Sequence, residues 1–271
     1  MGQKTIMPAG LAAMLVTGVA AFSATPVNAH FLSIFAPLAV MDGPTETHVD
    51  VLFWHPLGGA HVMDMGGAPE EFFVTHRGER TDLSHRLAEI AFTSAANTGQ
   101  AYSVPMTFRT SGDYIITAVP QPYYEETEDI FIQQITKAYF NRGQLPTDWS
   151  EPLGLKAEIL PLSRPYNALV GSTFTGRVLS EGEPVAGAEI EVEYIAAEPD
   201  VTTHTSGAPT VSEAAGGTIT LMSDANGYFT FGIPTAGWWG FAALGVGPDV
   251  EFEGRELSQD AVIWVTAHDL E

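Results

Sequence analysis

The stretch Ala188-Glu-Ile-Glu-Val-Glu-Tyr194 decides the fold class. In an extended chain Ile190, Val192 and Tyr194 fall on one side and Glu189, Glu191 and Glu193 on the other. A period of two is the mark of a strand with one buried and one solvated face. Its surroundings repeat the theme. Gly171–Leu179 reads as a strand, Glu181–Gly187 as a turn, and Ser223-Asp-Ala-Asn-Gly227 as a turn whose Asn-Gly pair suits positive φ. Tyr228–Ile233, Gly237–Leu244 and Ala261–Val265 follow as strands. Residues 197–217, rich in Thr, Ser, Ala, Gly and Pro, read as a long mobile loop.

Upstream the same signals recur. His48–Trp54, Glu71–Thr75, Ala101–Phe108 and Asp113–Val119 are short, rich in β-branched and aromatic residues, and bounded by Gly, Pro or Asp. Asp129–Tyr139 is long enough for a helix, but its Ile, Thr, Phe and Tyr content favours a strand. Thr81–Glu89 has room for one or two helical turns. Residues 143–165 carry Pro146, Pro152, Pro161 and Pro165 and read as a connector with an edge strand. Many short strands at regular spacing predict an all-β protein of two β-sandwich, immunoglobulin-like domains, residues 30–165 and 166–271.

Residues 1–29 read as an export signal: Lys4 is a short positive start, residues 9–24 are apolar, and Val27-Asn28-Ala29 offers small residues to a signal peptidase. The apolar run is shorter than the ~20 residues of a spanning helix, and no other stretch approaches that length. A chain that is periplasmic or secreted, with no membrane span after processing, is the expectation. The cut would fall before His30, giving one residue both a free α-amine and an imidazole.

The 271 residues include 11 Lys and Arg against 33 Asp and Glu, a formal charge of -22. That balance argues against a nucleic-acid partner, which needs a basic face. The absence of cysteine excludes disulfides, zinc-thiolate sites and cysteine nucleophiles. No Gly-x-Ser-x-Gly elbow, phosphate loop, dinucleotide fingerprint or His-Glu-x-x-His is present. The expectation is a binding protein without turnover.

The histidines carry the remaining chemistry. Six of the eight, His30, His48, His55, His61, His76 and His85, precede residue 87. The densest stretch is His55-Pro-Leu-Gly-Gly-Ala-His61-Val-Met63-Asp64-Met65, in which Pro56 and Gly58-Gly59 allow the chain to fold His55 back toward His61. If residues 61–65 are extended, His61, Met63 and Met65 share a face; the two methionines serve equally as core filling. Imidazole suits nickel, cobalt, copper and zinc, and thioether leans to Cu(I). His76 and His85 sit among Arg77, Arg80 and Arg86 and read as surface groups, and His204 and His268 as solvated ones. Tyr123 and Glu125, in an acidic and aromatic run, are either a solvated loop or outer support for the histidine loop.

These residues resemble a family. Ala29-His30-Phe31, His55-Pro56, His61-Val-Met63-Asp64, Pro69-Glu-Glu-Phe72, Arg80-Thr-Asp-Leu83, Gly112-Asp-Tyr114, Pro120-Gln-Pro-Tyr123, Glu151–Lys156, Pro161–Tyr166 and Gly237–Leu244 are similar to bacterial periplasmic proteins regarded as accessory components of nickel and cobalt uptake. The resemblance spans nearly all of residues 30–271. It implies a periplasmic β protein that holds a divalent transition metal, nickel or cobalt, and works beside a membrane metal-transport complex. The matching residues are His30, His55 and His61, with Met63 beside them. The second segment also resembles carboxypeptidase-regulatory-like β-sandwich modules, through Gly182–Ala188 and Asp224–Phe229. Two other readings stand beside this one: a copper carrier or oxidative enzyme with a histidine-brace-like site, and a structural or adhesive sandwich that holds no metal.

Overall fold

The computed structural model describes residues 1–2, 30–58, 60–212 and 218–270. The export signal expected over residues 1–29 lies, apart from its first two residues, outside the described residues.

Among the described residues the chain is strands, turns and a single 3-10 turn, Ser84–Arg86, so the all-β expectation holds. The 3-10 turn is all that forms where helical turns were expected. Glu79–Asp82 and Ala88–Thr93 flank it as strands. The ambiguous segment is a strand, Ile130–Arg142, buried almost throughout. Burial on both faces removes the alternation that would have marked it in the sequence.

Three sheets account for the pairing. The first runs Phe31–Phe35, Thr45–Trp54, Thr98–Phe108, Ala88–Thr93, then the two-residue strands Thr205–Ser206 and Pro199–Asp200. The second, larger sheet passes from Ile219–Met222 through Glu189–Tyr194, Gly237–Ala243 and Arg255–His268 to Ile130–Arg142, Gly112–Val119 and Glu71–His76. The third pairs Thr173–Ser180 with Ala157–Pro161 and Tyr228–Gly232. The middle of the large sheet is parallel: Phe131 stands opposite Leu257 and the register runs on to Ala138 opposite Trp264. Strands from both halves of the chain thereby share one hydrogen-bonded sheet.

Aromatic side chains fill the space between the layers. Trp54, Trp264, Phe31 and Phe35 are all but completely buried, and the Phe31 and Trp264 rings meet edge to face at 5.8 Å. A side chain on Gly240 would meet the ring of its cross-strand partner Trp264 at 2.8 Å and Phe31 of the first sheet at 3.0 Å, so glycine leaves room for both rings. An ion pair lies inside: Lys137 Nζ is 2.6 Å from Glu158 Oε1, and both side chains are 1% exposed. The Glu158 carboxylate also accepts from the Leu153 and Gly154 amides, which supplies the bonds a buried charge requires.

The stretch expected to be a loose loop, 197–217, is anchored over its first part. Thr205 pairs with Thr93 in parallel register, and the Thr93 amide donates to the His204 carbonyl at 3.0 Å. Residues 213–217 lie outside the described residues.

Candidate metal centre

Strand register assembles the histidines. Phe31 stands opposite Trp54 in the antiparallel pair formed by Phe31–Phe35 and Thr45–Trp54. His30 and His55 are the next residues outward on each strand, so they face each other. Trp54 also bridges Val62 on its other side, which places His61 beside His55. The His55 amide donates to the His61 carbonyl and the Ala60 amide to the His55 carbonyl, each at 3.0 Å. Side chains in register across a sheet project to the same face. The outcome is a row: His30 and His55 rings are 4.6 Å apart, and His55 and His61 rings 6.3 Å apart.

Amide side chains hold both ends of the row. Gln134 donates to the His30 carbonyl and accepts from the Leu32 amide, each at 2.7 Å. Asn97 accepts from the Val62 amide and donates to the Val62 carbonyl, each at 2.8 Å. Leu57, in the loop between the two histidines, donates its amide to the Glu193 carboxylate at 3.1 Å, which ties the loop to the second half of the chain.

Glu125 closes the row at the His30 end. Its Oε2 lies 3.4 Å from His30 Nε2. Its Oε1 accepts from the Thr127 amide and hydroxyl. Burial pushes the Glu125 carboxyl up, but the Thr127 bonds and the neighbouring His30 and His55 outweigh it, and the group sits below its ordinary range. His30 goes down, chiefly through burial, with His61 adding to the effect and Glu125 opposing it. A neutral imidazole beside an ionised carboxylate is the protonation state a cation needs in its ligands. Tyr123 and Phe53 wall the site, their rings 6.3 and 5.8 Å from that of His30.

Of the four residues expected to act together, the structure brings three into one row. Met63 is buried in the hydrophobic core, as is Met65. Glu125 and Tyr123 stand at the histidines, which sequence left open. His55 is buried, His30 half-buried and His61 exposed. Among the described residues, no group of three or more His, Asp or Glu side chains is arranged, as it stands, to hold a metal ion. The donor set nevertheless fits such an ion chemically: imidazoles in ring contact, with an anchored carboxylate next to the first.

The outlying histidines divide. His85 is exposed, as expected, with Asp82 3.7 Å away. His76 is not a surface group: its ring stacks on Tyr114 at 4.0 Å and its Nδ1 bonds the Asp113 carbonyl at 2.7 Å. His268 is exposed but bonds the Tyr166 carbonyl. His204 corrects the expectation most: its Nδ1 is 2.9 Å from Oδ2 of the fully buried Asp50. The one sequence signal was an aspartate in phase with Leu52 on a strand that reads as core.

These features define an all-β protein that displays a row of imidazoles at the end of its six-stranded sheet. Residues 27–247 match the family described as Domain of unknown function (DUF4198), and the chain belongs to that family. No curated protein matches it. Among solved structures, the D0-D1 domain of intimin is 13% identical over 85% of this chain and 95% of that chain, with a TM-score of 0.21. The fibronectin(III)-like modules of Clostridium thermocellum CbhA are 10% identical over 88% of this chain and 95% of that chain, also at 0.21. These likenesses carry no functional information. Among the described residues no helix is long and apolar enough to cross a membrane.

Proposed function

We propose that this chain is an exported metal-binding protein that captures nickel or cobalt for uptake through a membrane transport complex. The observation that carries the reading is the register-built row of His30, His55 and His61 with Glu125 at its end. His30 and His55 are the resident pair. His61 is exposed and completes the set by turning its ring inward on capture. If processing removes residues 1–29, the α-amine of His30 adds a further nitrogen at the point where Gln134 holds the backbone. Glu125 orients His30 and lowers the net charge of the loaded site. The ion is cargo, so no turnover is required.

The acidic balance of the chain supports this reading, because 33 carboxylates against 11 basic side chains raise the local concentration of divalent cations before capture. The second half, which resembles carboxypeptidase-regulatory-like modules, supplies contacts to the loop through Glu193 and a surface for a partner.

The test is a calorimetric titration with nickel, cobalt and copper(II), on the exported form and on its His30→Ala variant. The expected result is tight binding that the substitution weakens by roughly a hundredfold, about 2.7 kcal/mol. Unchanged binding in the variant sinks the proposed site. A preference for copper would move the cargo to copper and leave the site standing. An exported form that binds none of the three would leave a structural β protein.

A further inference from the structure

A second pair of imidazoles lies on the opposite face of the Thr45–Trp54 strand from His55. Along that strand His48 and Asp50 share one face, and Phe53 and His55 the other. Ser103 stands opposite Asp50 on the neighbouring strand. His204 arrives from the crossover segment of the second half, its backbone fixed by the Thr93 amide. The His48 and His204 rings meet at 6.2 Å, edge to face.

The two rings are held in the same way. His204 bonds Oδ2 of Asp50 through Nδ1 at 2.9 Å, and His48 bonds the Ser103 hydroxyl through Nδ1 at 3.1 Å. Asp50 and Ser103 are buried, Asp50 completely. A carboxylate that accepts from Nδ1 leaves the Nε2 lone pair of a neutral imidazole pointing away from it. Carboxylate and hydroxyl partners on one ring nitrogen, with the other directed outward, are how proteins orient histidines that ligate metals. Burying a carboxylate to position one loop histidine is costly, and an apolar residue would secure the loop as well. The expense is accounted for if the ring so oriented has work to do. His48 is exposed, so an ion has access.

We propose that His48 and His204 form a second transition-metal site, separate from the His30 row, with their Nε2 atoms as ligands and Ser103 and Asp50 as the groups that orient them. Two imidazoles leave coordination positions for water, so this site is weaker and more open than the first. An ion there reinforces the pairing that already places residues 199–206 in the first sheet.

The probe is copper(II) alone, added to the full chain with His30, His55 and His61 replaced by alanine. Calorimetry should find one remaining equivalent, and pulsed electron paramagnetic resonance should show remote nitrogens from two imidazoles. Adding His48→Ala, an exposed position, should weaken that binding about tenfold or more and leave one imidazole in the spectrum. In the otherwise unaltered chain, which needs none of the three replacements to fold, His48→Ala should remove one of two equivalents. The proposal is overturned if the triple variant binds no copper while remaining folded, or if His48→Ala changes neither stoichiometry nor spectrum in both backgrounds. Failure of the His30 row alone gives a different pattern: one equivalent in the unaltered chain, abolished by His48→Ala.

Discussion

Phe31 stands directly opposite Trp54, and that one pairing sets His30 and His55 ring to ring at 4.6 Å. Because the side-chain period of a strand is two, a slip of one residue would turn the two imidazoles to opposite faces. The pair is locked by burial: the Trp54 indole donates to the Ser33 hydroxyl at 2.8 Å, and the Trp264 indole donates to the Leu32 carbonyl at 2.8 Å. The candidate site is thus a product of the core, not of a mobile loop.

The far end of the row depends on Asn97, whose amide holds both backbone groups of Val62. Asn97→Ala removes no ligand but releases the segment that carries His61. Metal affinity should fall roughly tenfold, in the range seen when outer supports of a metal site are cut. A nickel titration with a thermal melt on the same sample checks this; equal affinity at equal stability would show that His61 needs no support.

The buried pair of Lys137 and Glu158 offers a test of packing. Glu158→Leu leaves an uncompensated ammonium and should cost about 3–5 kcal/mol. Lys137→Met combined with Glu158→Leu removes both charges and should recover most of the loss. Denaturant unfolding of the two variants decides: a double variant as unstable as the single one would mean that Glu158 acts mainly through the Leu153 and Gly154 amides.

Gly240→Ala places a methyl group against the Trp264 ring at 2.8 Å and Phe31 at 3.0 Å. Overpacking of this kind should cost about 1–3 kcal/mol. The melting temperature should drop accordingly, and the Trp264 environment, visible in near-ultraviolet circular dichroism, should change with it. An unaltered melt would mean that the two rings give way without penalty.

The Glu191 and Asp260 contributions to stability should rise as the pH falls from 8 toward 5, against the opposite pull of His30, whose lowered value removes stability as its ring is protonated. Burial first, then Asp260, Glu189 and Glu128, push Glu191 up to about 7. Burial pushes Asp260 up to about 6, against the bonds from Ser258, Gly245 and Gln134. A carboxyl whose folded value lies above its unfolded one favours the folded state when protonated, so its contribution is lost as pH rises through about 6 to 7. Glu191→Gln should flatten that slope and raise the melting temperature at pH 8 by a few degrees, on the order of 1 kcal/mol. Melts across the range check the sign; a steady loss of stability between pH 8 and 6 would contradict it.

The strand Glu189–Tyr194 was legible in the sequence because Ile190 and Val192, both buried, alternate with glutamates, but the glutamate face is not simply wet: Glu193 is buried and Glu191 half-buried. Ile130–Arg142 was harder, since a strand buried on both faces has no alternation to see. The parallel pairing of that strand with Arg255–His268 joins residues far apart in the chain, and no local pattern reports such a contact. In the site, the Pro and Gly residues between His55 and His61 signalled the fold-back. The place of Glu125 beside His30 rests on the pairing of Tyr123–Glu125 with Ile130–Ile132, a hairpin hidden in an acidic run. His204 was misjudged because a loop rich in small polar residues gives no sign of the buried aspartate it covers.

His55 is the middle member of the row, so nickel titration of the exported chain beside its His55→Ala variant is the sharpest test of the row as a metal site. The tighter of two binding events should be weakened by roughly a hundredfold or more, with the weaker event unmoved. Identical titration curves for the two proteins would contradict it.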